Sequence, residues 1–482
     1  MPSMMGKTPN TCSQMAQVTN KRRYRSLLTP LIVFMFLWIA LWFSSSIRVH
    51  STPHFHVESE FKPVNVHNAD QKSVQELCVS FPKHVLDSIQ PVLRIGHTEN
   101  QHKVEAQFDS VSSCFTSDEL VVYSDLVEDV RGHQTIDSLD NMPLELQEND
   151  HFKGYMSQKQ RYNSNISETT SEPVHIDGWA IDRFKFLPMV ERIYHARPEK
   201  EFYVFYETDS YIFWDNMFLY LKGFDPDDEL YMGSPTVGRK RTSFANGGPG
   251  FVLSRGAIKA LLRREEGEDG YNTASLVDRW LKRMVDDCCG DATLGWALNR
   301  MGVVVMGLWP MFNPHSLHGI PFSDKHWCQP VLGLHRTTPS DMRTLWKWEF
   351  ENRKQDALIL YADLWEVHRP GEQEEFKDWD NGNWNGWNAP WWKNIKSAES
   401  CKRYCLSGRD CFQWHWISAT KQCIGMSSFR YGEKAVDTDH HHSGWIRERV
   451  SRFRNDHQCR NIEWVKPSLW RVFSDEGKAP IY

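Results

Sequence analysis

The sequence predicts an α/β protein with a mainly parallel sheet. A membrane-spanning N-terminal helix precedes it, and a small disulfide-stapled α+β module follows. Three observations carry this reading. Between residues 92 and 222, strand-like apolar runs alternate with helix-like stretches, the pattern of a parallel sheet covered on both faces. Residues 27–47 hold no charge, and Leu31–Phe43 is wholly apolar. All of the 11 cysteines except Cys12 lie beyond that stretch, four of them between 401 and 423. With 482 residues, 40% hydrophobic and 24% charged, the chain is ordinary globular material long enough for two or three domains. A net charge of −6 gives no argument for a nucleic-acid partner.

In chain order, residues 1–26 read as a cytosolic tail and 27–47 as a signal anchor. An apolar helix of that length spans a bilayer core of about 30 Å. Lys21, Arg22, Arg23 and Arg25 precede it and only Arg48 closely follows, which leaves the N-terminus in the cytosol. A cleaved signal peptide is the alternative, although the leader is long for one and no clear small-residue cleavage site follows. Everything behind the anchor is then luminal, where disulfides persist. Residues 48–76 are polar and aperiodic and read as a stem. Strands are expected at Val92–Ile95, after Pro91, and at Leu120–Tyr123, which ends at Ser124-Asp125. Residues 140–173, rich in Asn, Gln, Ser and Glu, read as an exposed insertion or disordered loop. Asn165-Ile166-Ser167 within it is a glycosylation acceptor. An amphipathic helix is expected over 179–195, with Ile181, Phe184, Leu187, Val190 and Tyr194 near one face and Pro188 marking a kink or a late start. A buried strand follows at Phe202–Tyr206, then an acidic turn, then a helix over 215–222. Residues 77–350 form the main domain, 351–394 a Trp-rich linker, and 395–482 the cysteine-stapled module.

Four segments carry candidate chemistry. Glu207-Thr208-Asp209 stands where the strand 202–206 ends. Ligands of open α/β sheets bind beyond the carboxyl ends of strands, and two carboxylates one residue apart there suit a hard divalent cation. A polar turn after a core strand is the plainer reading. Asn246-Gly247-Gly248-Pro249-Gly250 lets backbone approach a ligand, and Phe251–Arg255 after it reads as a strand or helix start. Cys288-Cys289-Gly290-Asp291 leads into an apolar helix, so Asp291 is either a functional carboxylate or a favourable helix N-terminal charge. Trp327–His335 ends an apolar run in a histidine, which is either a core or surface residue or the completion of a metal site.

In this order and spacing the four segments resemble glycosyltransferase family 31, the family of the Fringe and core-1 β-1,3-galactosyltransferase enzymes, and its fungal members most closely. The matching stretches are Glu207-Thr208-Asp209-Ser210-Tyr211, Gly247 to Arg255, Cys288 to Asp291 and Trp327 to His335, joined by Phe81-Pro82 and Phe186–Met189. The resemblance covers roughly residues 80–350. It implies the GT-A fold and a single-pass type II Golgi membrane protein with a luminal catalytic part. The implied activity is metal-dependent, inverting transfer from a UDP-sugar, galactose favoured, to a glycan or glycoprotein acceptor in β-1,3 linkage, with Mn²⁺ or Mg²⁺ as cofactor. It assigns Asp291 as catalytic base and Glu207, Asp209 and His335 as metal ligands. Arg94, Gly96, Glu99, Asp125, Lys185, Gly247, Gly248 and Trp327 fall to donor and acceptor binding. Core packing remains the alternative for Trp327 and for Trp214. The chain departs from the family at 94–99, at Asn246 and at Pro249. A non-catalytic, membrane-anchored glycan- or protein-binding protein on a degenerate transferase scaffold is therefore the second reading.

Cys401 and Cys405 would share one helix face, each able to staple that helix to a strand. The spacing through Cys411 and Cys423, with Phe412, Trp414 and Trp416, resembles a PAN/apple domain, which implies the pairs Cys401–Cys423 and Cys405–Cys411. Zinc is the alternative for four such cysteines. The pairing of the other six is not legible. Asp439-His440-His441-His442 reads as a solvated loop, with a metal site as the alternative.

Overall fold

The computed structural model describes residues 64–164, 177–238, 242–263, 274–353, 358–368, 374–382, 385–437 and 439–465. The expected tail, the anchor, most of the stem and Asn165 lie outside the described residues. Among the described residues no helix is long and apolar enough to cross a membrane.

Ten strands of the main body build the sheets that carry the site: β1 (Ile89–Arg94), β2 (Val121–Ser124), β3 (Ile136–Asp137), β4 (Phe202–Glu207), β5 (Tyr211–Ile212), β6 (Tyr231–Gly233), β7 (Phe251–Ser254), β8 (Val305–Gly307), β9 (Phe312–Asn313) and β10 (Gly333–Leu334). Seven of them form one sheet in the order β8-β6-β7-β4-β1-β2-β3. β1 pairs parallel with β2 and β4, β2 with β3, and β6 with β8. β7 runs antiparallel between β4 and β6. The sheet is thus parallel-rich and mixed, because the chain turns back through Asn246–Gly250 before entering β7.

The central strands β1 and β4 are buried almost throughout, as strands covered on both faces must be. Alternate residues serve opposite faces. Leu93, Val204, Tyr206 and Val252 join one core, and Val92, Tyr203, Phe205, Phe251 and Leu253 the other. Helices α1 (Gln101–Phe108), α2 (Asp150–Asn163), α3 (Phe186–Ala196), α4 (Trp214–Leu221), α5 (Arg255–Leu262), α6 (Leu276–Asp286), α7 (Gly290–Arg300) and α8 (Pro339–Asn352) cover the sheet. The first core takes residues of α1, α4 and α8, and the second takes residues of α2, α3, α5, α6 and α7.

Two local readings are corrected. The stretch 140–163 is helical, in Leu144–Gln147 and α2. Its polar composition hides a narrow apolar stripe, Phe152 and Tyr155, and the Asn149 side chain caps α2 by accepting from the His151 N–H at 3.0 Å. The single helix expected over 179–195 is divided into Gly178–Asp182 and α3. Pro188 falls in the first turn of α3, where its missing N–H has no helical partner to lose.

Downstream, β11 (Glu375–Lys377), β12 (Trp387–Asn388), β13 (Gln413–Ile417), β14 (Gln422–Met426) and β15 (His441–Trp445) form an antiparallel sheet in the order β11-β15-β13-β14-β12. The Trp-rich stretch read as a linker contributes β11 and β12 to it. Helix α9 (Ala398–Ser407) is stapled by Cys401–Cys423 and Cys405–Cys411. The other described cysteines pair as Cys78–Cys114, Cys288–Cys289 and Cys328–Cys459. This module joins the main body in one compact unit. Phe322 and Phe429 exchange backbone hydrogen bonds of 2.9 and 3.0 Å, Tyr431 stacks on Trp365 at 4.8 Å, and helix α10 (Arg447–Asp456) sets Phe453 against Trp327.

Candidate active site

The site forms where β1, β2 and β4 end. The β1–β4 register sets Arg94 opposite Glu207, and their side chains form an ion pair. Beyond Glu207 the chain makes a tight turn. The Ser210 hydroxyl accepts from the Glu207 N–H at 2.8 Å and donates to the Gly248 carbonyl at 2.6 Å, tying the acidic turn to the glycine turn.

Asp209 meets His335 through the small sheet β9-β10-β5. Leu334 pairs with Tyr211, so the residue just after β10, His335, comes back beside the acidic turn, and the Thr337 N–H donates to the Asp209 carbonyl at 3.0 Å. His335 Nε2 lies 3.5 Å from Asp209 Oδ1. One ligand atom each of Glu207, Asp209 and His335 falls within 4.8 Å of the others. Gly248 makes this possible. A Cβ there would stand 2.2 to 2.4 Å from three atoms of the His335 ring. Gly248→Ala is therefore expected to push the imidazole off Asp209 and weaken divalent-ion affinity about 10–100-fold. Calorimetric titration with Mn²⁺ checks this, with His335→Ala giving a similar loss.

Asp291 enters from the other side, in the first turn of α7. Its Oδ2 accepts from the Gly247 N–H at 3.0 Å and its Oδ1 from the Ala292 N–H at 2.8 Å. Burial raises its pKa to about 6; these two N–H groups and Arg94 oppose the rise, and the Glu207 charge adds to it. Gly290 lets α7 approach, since a Cβ there would lie 2.2 Å from the Phe186 ring and 2.5 Å from the Arg183 carbonyl. A Cβ on Gly247 would lie 3.1 Å from Glu207 Oε1 and 3.6 Å from Asp291 Oδ2, so this glycine separates the two carboxylates.

The remaining assigned residues divide. Arg94 also pairs with Asp182 and lies over the Phe186 ring at 4.1 Å. Lys185 and Asp125 are each 1% exposed and sit beneath the surface, Nζ 3.9 Å from the carboxylate. Lys185 donates to the Ile95 carbonyl at 2.7 Å, and Asp125 accepts from the His97 N–H at 2.6 Å. Burial holds the Lys185 ammonium below its ordinary pKa. These two groups support the loop 95–99 from behind. A Cβ on Gly96 would sit 3.7 Å from Lys185 Nζ. The Glu99 N–H closes the same loop onto the Gly96 carbonyl at 3.0 Å, and the Glu99 charge acts on Lys103 and Lys185.

Trp327 is a correction. It is 4% exposed and packs among Phe322, Phe429 and Phe453, with its indole N–H on the His457 carbonyl at 2.9 Å. It belongs to the seam with α10. Trp214 is likewise core, donating to the Val111 carbonyl at 3.0 Å. Of the histidine run, His441 and His442 open β15 and His440 precedes it. His441 is bonded to His415 at 2.7 Å, His442 packs beside Trp414, and His440 is exposed.

Lys103 and Asp182 were not legible. Lys103 Nζ sits 2.9 Å from Asp209 Oδ2. Burial pulls its pKa down, and the bond to Asp209 with the neighbouring carboxylates more than offsets that. On sequence it is one more lysine on a polar helix. Two carboxylates and an imidazole suit Mn²⁺ or Mg²⁺. The ion pairs engage Glu207 Oε1 and Asp209 Oδ2, leaving Asp209 Oδ1 and His335 Nε2 facing each other, so the donor set fits such an ion.

No protein-family model matches the chain, and no curated protein matches it. One matching solved structure is titled "Crystal structure of a glycosyltransferase involved in the glycosylation of the major capsid of PBCV-1". It is 13% identical and covers 54% of this chain and 98% of its own, with a TM-score of 0.26. A likeness that low carries no argument, and the functional reading rests on the geometry of the cleft.

Proposed function

We propose that the chain is a metal-dependent, inverting glycosyltransferase that moves a sugar from a UDP-sugar to a hydroxyl of a glycan or glycoprotein. Galactose and a β-1,3 linkage are the first choices, and a Golgi membrane anchored through residues 27–47 is the setting. One observation carries the reading: the Glu207–Asp209–His335 group and the carboxylate of Asp291 converge on the same two glycines at the carboxyl ends of parallel strands.

Inversion is a single displacement. The acceptor oxygen forms its bond to the anomeric carbon as the bond to UDP breaks, and the electron pair leaves with the diphosphate. The proton of the acceptor hydroxyl passes to Asp291. A carboxylate with a pKa near 6 is ionised at neutral pH and more basic than an ordinary aspartate, as a general base requires. Gly247 holds that carboxylate through its N–H and keeps side-chain bulk out of the space beside it. When bound at Glu207, Asp209 and His335, a divalent ion supplies the positive charge that a departing diphosphate needs. Arg94 and Lys103 balance the two carboxylates from the protein side.

The second reading, a non-catalytic binding protein, is favoured by one observation: both candidate metal carboxylates already pair with a cation. The test is UDP release from a donor panel by the full-length chain in detergent. EDTA is expected to abolish turnover and Mn²⁺ to restore it, and Asp209→Asn to lower turnover at least about 10²-fold. Full turnover in EDTA removes the metal from the reaction. Metal-dependent UDP binding with no turnover of any donor selects the second reading.

A further inference from the structure

A second group of ligand-type side chains lies outside the cleft, where the main body meets the C-terminal module. Asp341 stands in the first turn of α8, 4% exposed. Its Oδ2 accepts from the Thr338 hydroxyl at 2.7 Å. Its Oδ1 faces two imidazole nitrogens, His318 Nε2 and His368 Nε2, each at 3.1 Å. The two rings stack at 5.1 Å. The other nitrogen of His318, Nδ1, is 2.9 Å from the Gly432 carbonyl.

That last contact sets the hydrogen on one nitrogen of His318. A carbonyl only accepts, so His318 Nδ1 carries the hydrogen. In the neutral ring Nε2 then presents a lone pair to a carboxylate oxygen that also only accepts. Two acceptors at 3.1 Å repel unless positive charge lies between them. We propose that this charge is a divalent zinc-class ion held by His318 Nε2, His368 Nε2 and Asp341 Oδ1. An imidazole that gives its far N–H to a backbone carbonyl is oriented as metal-bound histidines are. Ligands about 2.0–2.1 Å from a tetrahedral ion stand a little over 3 Å apart, close to the spacing here. Two imidazoles and one carboxylate suit Zn²⁺ over Mg²⁺ or Ca²⁺. The side chains of His318 and His368 are 21% and 30% exposed, so an ion can reach them from solvent. His318 reaches across the seam to Gly432, and the His368 N–H donates to the Tyr431 hydroxyl at 3.4 Å. The ion would thus lie on the body's side of the seam and hold in place the two residues that bond to Gly432 and Tyr431 of the module.

The test uses the full-length chain in detergent with the cleft's own ligands removed by Asp209→Ala and His335→Ala. The protein is stripped with EDTA, exposed to Zn²⁺ at pH 7.5, gel-filtered and analysed for metal. About one equivalent of zinc is expected to remain, falling to background when His368→Ala is added. Co²⁺ in place of Zn²⁺ is expected to give the visible absorption of a tetrahedral N/O site, lost in the same variant. An unchanged metal-free melting temperature establishes that the His368 variant is folded, and His368→Gln serves if it is not. Zinc at background in the parent, or retained in full without His368, overturns the proposal and leaves a shared proton on His318 as what holds the three groups together.

Discussion

Asp291→Asn lowers kcat by about 10²–10⁴-fold and leaves the KM for the UDP-sugar nearly unchanged, the range expected for loss of a general base. The substitution keeps an oxygen that can accept from Gly247 or Ala292, so the α7 terminus and the glycine turn stay in place. What is lost is a site for the acceptor proton. The pH profile carries the same information. With its pKa raised to about 6, the carboxyl is protonated on the acid side of that value, so kcat/KM falls about tenfold per pH unit there. The stability effect has the opposite sign. A carboxyl whose folded-state pKa is raised favours folding at low pH, and that contribution is lost as pH rises through about 6. Asparagine removes the cost of the buried charge, so the variant melts about 1–3 °C above the parent at pH 8, with the difference gone by about pH 4. Steady-state kinetics and scanning calorimetry at both pH values check this. Undiminished turnover in the variant removes Asp291 from the reaction.

Much of this cleft is written in local sequence, because its parts are local. The apolar run 202–206 ends in acidic residues, and burial makes it a central strand. The glycines at 247 and 248 are needed for a reason visible only in space: one keeps the metal-type carboxylate apart from Asp291, and the other leaves room for the His335 ring. The pairings that build the site are long-range. Arg94 meets Glu207 through the register of strands 113 residues apart, and Lys103 meets Asp209 from a helix whose local pattern marks it as ordinary surface. Trp327 shows the reverse limit. Its motif is local, but its surroundings are α10 and Phe429, about 100 positions or more downstream, and these make it core. The helix α2 was illegible because only a few residues of a polar stretch are buried, too few for an apolar face to stand out from the Asn, Gln and Lys around it. Within the cysteine-stapled module the resemblance to a PAN/apple domain implied the pairs 401–423 and 405–411. The other six described cysteines allow 15 connectivities, and two of their three bonds span separations of 36 and 131 that no local pattern marks.

Cys328–Cys459 is the bond of that kind with the largest consequence. It closes a loop with a sequence separation of 131, and in the chain-entropy account a loop of that size contributes about 5 kcal/mol, with about 2–5 kcal/mol typical in practice. It also sits at the point where the C-terminal segment clamps the stretch that leads to His335. The Glu463 N–H donates to the Cys328 carbonyl at 3.0 Å, and Trp327 donates to the His457 carbonyl at 2.9 Å. Cys328→Ser with Cys459→Ser is therefore expected to lower unfolding stability by about 2–5 kcal/mol, and each single change is expected to lower it at least as far. Chemistry at low temperature should survive better than stability. His335 is positioned by the β5–β10 pairing and by the Thr337–Asp209 hydrogen bond, neither of which passes through the disulfide. Calorimetry without reductant, beside turnover at low temperature, separates the two effects. A melting temperature equal to the parent's shows that the bond adds nothing to the seam. Turnover lost in step with Asp209→Asn shows instead that the C-terminal clamp itself holds His335 against Asp209.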